Sequence, residues 1–388
     1  MIEFKVSAPG RIVLWGEHAV LYGKECVHAS LNLRTTVKFL ELNDQRDNIY
    51  IEFPDVGLSL KLPLQLLLNF ISGDNFIHVA EDNILLLRDV QYFITLNGMW
   101  STYAQKFSLQ TFFFLLLYIS HHEELDIKPF HVHVSTELPI GAGLGSSSSF
   151  AVCLAACFLH WARLQRGAHY AFSEYELAKI SEYASSCEEL LQNCMFKMDS
   201  DACTYGKILR FQFNKERQFY HTLILNVPRM KILLIDSRVR KNKREQIGRM
   251  AEMMYCFPRT VNITLNTIDH ITRAACHILV AINNNYRDNN LRQLQASYIS
   301  LGIFIQLNQT MLCNLSLSHP NLNIICLIAQ CYGFAGKLTG FGGGGYAYVL
   351  LPPAIPEECI KNLLQHLMAE HFINKRAYIS CNGVRIEN

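Results

Sequence analysis

The residues best suited to chemistry are concentrated between Pro139 and Ser149, which read PIGAGLGSSSS. Gly141, Gly143 and Gly145 let the backbone curl so that successive N–H groups converge on one point. An apolar run from Phe150 to Trp161 follows at helical length. A helix starting there directs the positive end of its dipole to the same place. The serines at 146–149 add hydroxyls for phosphate oxygens or a magnesium ion. The candidate polyphosphate cradle is therefore Pro139, Gly141, Ala142, Gly143, Leu144, Gly145, Ser146 and Ser147. No lysine follows the last glycine, which excludes a Walker A loop. The mid-chain position, with no ribose-binding acid at a suitable offset, fits a dinucleotide fingerprint poorly.

Two further motifs flank this loop. Ser7 to Val20 reads SAPGRIVLWGEHAV and sets Arg11, Glu17 and His18 close together in sequence. Lys337 to Gly345 reads KLTGFGGGG. Four consecutive glycines weaken any helix or core, so they belong where a backbone passes very close to something else.

These motifs need elements to hold them. Ala8-Pro9-Gly10 reads as a tight turn between a strand through Phe4 and Val6 and another through Ile12 to Leu14. Alternating runs at Leu33–Phe39 and Ile49–Phe53 predict strands, and residues 83–120 have helical periodicity. His131 and His133 alternate with valines, which places both histidines on one face of a strand, at its surface. Residues 174–196 predict a helix, Lys231–Asp236 a buried strand, 251–330 a largely helical stretch, and Tyr346–Leu351 a closing strand. A break within 222–229 divides the chain into domains spanning 1–225 and 226–388.

Composition sets the class. The chain has 388 residues, half of them hydrophobic, which is enough for two cored domains. Charged residues are 18% of the total and the net charge is +2, so nothing points to nucleic acid or a membrane surface as partner. The apolar run Phe107–Ser120 falls short of the ~20 residues that span a bilayer and predicts a buried helix. Thirteen cysteines without a CxxC pair read as reduced thiols, with Cys153 and Cys157 buried on one helix face. The expectation is a cytoplasmic enzyme acting on a small molecule.

The order of motifs resembles the GHMP kinase superfamily: PGR and GEH first, P-x-GAGLGSS in the middle, KLTG-x-GGGG near the end. Within it, GEHAV and SLNLRT (Ser30 to Thr35) are most similar to the mevalonate kinases. The resemblance implies an α+β, two-domain GHMP kinase fold with the active site in the interdomain cleft. It implies ATP and Mg²⁺ as cofactors and mevalonate as the substrate, phosphorylated to 5-phosphomevalonate. The alternatives are another hydroxylated metabolite, such as a sugar, or a relative that binds without turnover. By position, Ser147 and Glu188 correspond to the family's metal ligands and Asp199 to its catalytic aspartate, with Asp201 the less favoured candidate. Arg11 stands beside the aspartate where mevalonate kinases carry lysine, as galactokinases also have it. Glu17, His18, Thr339 and Gly342 are expected at the substrate, and the family's tendency to dimerise extends the expectation to a homodimer. Two stretches depart from the family: Asn193–Lys197 lacks its glycines and proline, and Arg238–Lys243 lacks its proline and threonine. The basic residues of the second stretch are open to either a phosphate contact or a solvated loop.

Overall fold

The computed structural model describes residues 2–42, 47–72, 81–192, 197–214, 216, 219–240 and 242–387. Residues 193–196 of the departing stretch 193–197, and Lys241, lie outside them.

Two long strands form the spine. Strand β1 (Glu3–Trp15) pairs antiparallel with β2 (Cys26–Glu41), in register from Glu3 opposite Leu40 to Trp15 opposite Val27. The expected turn at Ala8-Pro9-Gly10 is not there, because β1 runs straight through it. The ladder shifts register between Pro9 and Arg11, where a proline that cannot donate a hydrogen bond is accommodated. The chain instead reverses after Trp15, through a short 3-10 turn at Ala19–Tyr22.

Strand β2 distributes the rest of the sheet. Its far half pairs with β5 (Phe130–Thr136), and its near half with β6 (Ile208–Asn214) and, at Leu31, with β11 (Ile373–Ile379). Outside β5 lie β3 (Asn48–Phe53) and β4 (Leu58–Pro63), and outside β6 lies β7 (Phe219–Leu225). Beyond β11 follow β8 (Met230–Asp236), β10 (Tyr346–Leu351) and β9 (Gly336–Leu338). The expected division at 225/226 falls in the connection between β7 and β8. Across it, β12 (Arg385–Glu387) returns to pair with β1.

Burial follows the sequence pattern closely. β8 is a continuous apolar run because both its faces are covered: Ile232 and Leu234 face one core, Leu233 and Ile235 another. The helix Tyr103–His122 buries Phe112 to Leu117 completely, against Phe130, Phe158 and Trp161. Each such side chain contributes roughly 2 kcal/mol of transfer free energy. The stretch 83–120 is two helices rather than one. Gly98, at φ 60°, ends Asn83–Leu96, and Thr102 with Gln105 forms a capping box that starts the next. Helices Pro258–Arg287 and Leu291–Asn314 contribute to the core that Ile232 and Leu234 face. Cys153 and Cys157 are buried and unbridged on the helix Ser146–Arg166.

Candidate active site

The glycine loop connects β5 to the helix Ser146–Arg166, as its sequence requires. Gly141, Gly143 and Gly145 all have positive φ, and Gly145 is the residue before the helix. At Gly145 the need for glycine is steric as well. A Cβ there would come within 2.9 Å of Arg11 Cγ. Arg11 lies directly beneath the loop: its backbone N–H donates to the Leu144 carbonyl (2.9 Å) and its Nη1 to the Gly143 carbonyl (2.8 Å).

The same guanidinium grips Asp199. Nε donates to Oδ1 at 2.6 Å and Nη2 to Oδ2, a two-pronged pair with both partners buried. Burial opposes the carboxylate's charge, but the Arg11 guanidinium outweighs it and holds Asp199 down to about 2. His28 Nδ1 stands 3.3 Å from Asp199 Oδ1. Burial pushes this imidazole down to about 4, so it is neutral at physiological pH. Asp201, the other candidate, points elsewhere, accepting from Ser181 Oγ (2.5 Å) and Thr222 Oγ1 (3.0 Å).

Ser147 and Glu188 meet across the side chain of Gln192, whose Nε2 donates to Ser147 Oγ (3.2 Å) and to Glu188 Oε1 (3.1 Å). Ser200 Oγ donates to Glu188 Oε2 at 3.1 Å. Burial and the nearby Asp199 raise Glu188. A buried carboxylate held by neutral donors beside a second carboxylate is a place where a cation is favoured. An all-oxygen donor set suits Mg²⁺.

Two adjoining cavities share Gly141, Ser146, Ser147, Gln192 and Lys243 in their walls. The smaller, about 270 Å³, has Arg11, Asp199 and Glu188 in its lining, with Phe341 and Lys243. The larger, about 510 Å³, is walled by Phe53, Val56, Tyr103, Phe107 and Phe150. Lys243, from the basic stretch, lines both, lies 5.2 Å over the Phe341 ring, and helps to hold Asp199 down. Pro139, Ala142 and Leu144 line neither cavity. Leu144 is buried and anchors the loop.

The residues expected at the substrate are placed differently. Glu17 is wholly buried in an ion pair with Lys337, and its Oε2 accepts from Asn308 Nδ2 at 3.0 Å. Thr339 is buried against β1: Oγ1 accepts from the Val13 N–H (2.9 Å) and donates to the Val13 carbonyl (3.2 Å). A Cβ on Gly342 would sit 2.0 Å from the Leu317 carbonyl. The glycine run therefore passes close to the protein's own backbone. Glu17, Thr339 and Gly342 join the first strand to the C-terminal glycine loop. His18 is buried as well, with Nε2 2.8 Å from the carbonyl of Phe341, a residue that lines the smaller cavity.

Sequence reasoning missed His28 and Gln192. The signal for His28 was a lone histidine within the apolar strand Cys26–Leu31; for Gln192 it was the i, i+4 spacing from Glu188 on one helix.

Residues 112–207 match the family model described as the GHMP kinases N terminal domain. The chain is 28% identical over 391 residues to the mevalonate kinase of Homo sapiens, spanning 99% of this chain and 94% of the human protein. It is 27% identical over 387 residues to that of Mus musculus, spanning 98% and 94%. The solved mevalonate kinase of Methanococcus jannaschii shares the fold, with a TM-score of 0.69 at 21% identity over 97% of this chain and 98% of that one.

Proposed function

We propose that the chain, which matches the GHMP kinase N-terminal family model over residues 112–207 and resembles mevalonate kinases over nearly its whole length, transfers the γ-phosphoryl group of ATP to a hydroxyl of mevalonate, giving 5-phosphomevalonate and ADP. The observation that carries this reading is the buried Arg11–Asp199 pair in the wall of a cavity that the glycine loop also lines.

The larger cavity accepts the nucleotide's base and ribose between its aromatic and aliphatic side chains. The glycine loop and the start of the helix at Ser146 receive the phosphates. Ser147 and Glu188 would hold Mg²⁺, which when bound neutralises charge on the phosphate oxygens. Lys243, lying between the two cavities, supplies a cation along the path from base to reacting phosphate.

In the smaller cavity the mevalonate hydroxyl faces Asp199. The hydroxyl oxygen bonds to the γ-phosphorus, the bond from that phosphorus to the β–γ bridging oxygen breaks, and the hydroxyl proton passes to Asp199. A carboxylate held near 2 is too weak a base to remove that proton early. It accepts the proton as the new bond forms, in keeping with a loose transition state. Arg11 cannot serve as base because its guanidinium stays charged, so its part is to hold Asp199 and spread positive charge toward the phosphate.

The test is ADP release by purified protein with MgATP, comparing mevalonate, phosphomevalonate, galactose and homoserine. Mevalonate-dependent release that falls by about 10²–10⁴ in Asp199→Asn is expected. Release with galactose and none with mevalonate would replace the substrate assignment.

A further inference from the structure

His28 has no part in the reaction as described so far, yet its ring lies against Asp199. It is buried (5% exposed), its ring packs edge-on against Phe211 at 5.2 Å, and its Nδ1 lies 3.3 Å from Asp199 Oδ1. That approach is not aligned as a hydrogen bond, and Nδ1 has no other aligned partner among the described residues. A buried ring nitrogen in this position is costly unless it serves something.

A carboxylate offers about four lone-pair sites, two on each oxygen. Arg11 takes one on each oxygen, through Nε to Oδ1 and Nη2 to Oδ2. One outer site remains on each. His28 Nδ1 stands 3.3 Å from Oδ1, and a small rotation of the ring brings a proton on Nδ1 to the outer site there. The alternative tautomer would set a nitrogen lone pair against a carboxylate oxygen, which is repulsive. The other charged groups around Asp199 are Lys243, whose charge helps to hold it down, and Glu188, whose carboxylate accepts from Gln192 and Ser200.

We propose that His28 is a positioning residue for the phosphoryl transfer: its Nδ1–H occupies the outer lone pair of Asp199 Oδ1 and leaves that of Oδ2 as the single site for the substrate's hydroxyl proton. This rests on the kinase reading above, with Asp199 as the proton acceptor. His28 touches neither substrate nor nucleotide. It acts by fixing which carboxylate oxygen reacts, so its loss lowers turnover more than it weakens binding.

The experiment combines steady-state kinetics on His28→Ala and His28→Asn with ¹⁵N-histidine NMR of the intact protein, the His28 signal being identified by its loss in the Asn variant. In His28→Ala, kcat is expected to fall by about tenfold with the KM values for ATP and mevalonate within about twofold. Asn can place an amide N–H near the position of Nδ1–H, and His28→Asn is expected to recover most of the loss. The wild-type ring is expected to carry its proton on Nδ1. Wild-type kcat in His28→Ala would overturn the proposal. So would an Asn variant no better than Ala when both melt with the wild-type protein, or a ring protonated on Nε2. If wild-type protein releases no ADP with mevalonate, the kinase reading fails by itself. The tautomer, read without substrate, then still decides whether His28 donates to Asp199.

Discussion

Replacing Lys337 by methionine tests the placement of Glu17 most directly. Both side chains of this pair are fully buried. Burial lowers the Lys337 pKa, and the Glu17 carboxylate opposes that shift. In Lys337→Met the carboxylate keeps, among the described residues, only Asn308 Nδ2 as hydrogen-bond partner, and the Leu338 carbonyl loses the Nζ donor it has at 2.8 Å. Breaking a buried ion pair by removing one partner costs about 3–5 kcal/mol, and the lost donor adds ~1. That is about a quarter or more of the ~5–15 kcal/mol that typically holds a protein folded. The double change Glu17→Gln/Lys337→Met removes both charges and is expected to return to within ~2 kcal/mol of the wild type. Equilibrium unfolding in urea, comparing midpoints of both single variants and the double, measures this. A Lys337→Met variant within ~1 kcal/mol of wild type, or a double variant as unstable as the single, would refute the reasoning. Equally damaging would be Glu17→Gln at wild-type stability with a tenfold higher KM for mevalonate, because it would return Glu17 to the substrate.

Two further outcomes follow from the same geometry. Burial depresses both His28 and His160 to about 4, and in His160 the neighbouring His169 adds to the effect. Between the unfolded value of 6.5 and about 4, the unfolded chain binds more protons than the folded one. Stability is therefore expected to fall as pH drops through that window, by about 1.4 kcal/mol per pH unit for each histidine. Unfolding midpoints at several pH values between 7.5 and 4.5 measure it, and a flat profile would contradict it. In Gly145→Ala, a Cβ at φ 76° and 2.9 Å from Arg11 Cγ displaces the guanidinium from Asp199 and distorts the loop. We expect kcat/KM for ATP to fall by about tenfold or more, together with a loss of ~1–2 kcal/mol in stability. Kinetics unchanged from wild type would place the loop away from the nucleotide.

What could be read from the sequence was what local rules determine. The glycine loop, the helix after it, the buried Phe/Leu helix and β8 each announce themselves within about twenty residues, through φ preference, periodicity or an unbroken apolar run. Ser147, Glu188 and Asp199 came from the order of motifs, because a serine or carboxylate alone carries no sign of what it will face. The proline–glycine turn at Ala8–Gly10 failed because local turn propensity gave way to a sixteen-residue partner strand, which absorbed the proline at a register shift. The burial of Glu17 and Thr339 in contacts within the protein was hidden for a related reason. Their partners, Lys337 and Val13, are each more than 300 residues away in sequence, and no local pattern shows that an acid and a lysine that far apart will share a dry pocket. His28 escaped notice because an inward-facing histidine in an apolar strand looks the same whether it meets a core or a carboxylate.

The return of β12 to β1 bears on how the enzyme comes into being. Lys5 lies opposite Glu387 and Ser7 opposite Arg385, and the Arg34 side chain links the Ser7 carbonyl to those of Asn382 and Gly383. The strand that carries Arg11 is thus completed by residues that leave the ribosome more than 370 positions after it. Closing so long a loop is slow compared with forming the local helices of either half. The first strand is therefore expected to gain its second neighbour late. During refolding, catalysis is expected to return after helix content does, and the interval between them measures the time this strand spends waiting for that neighbour.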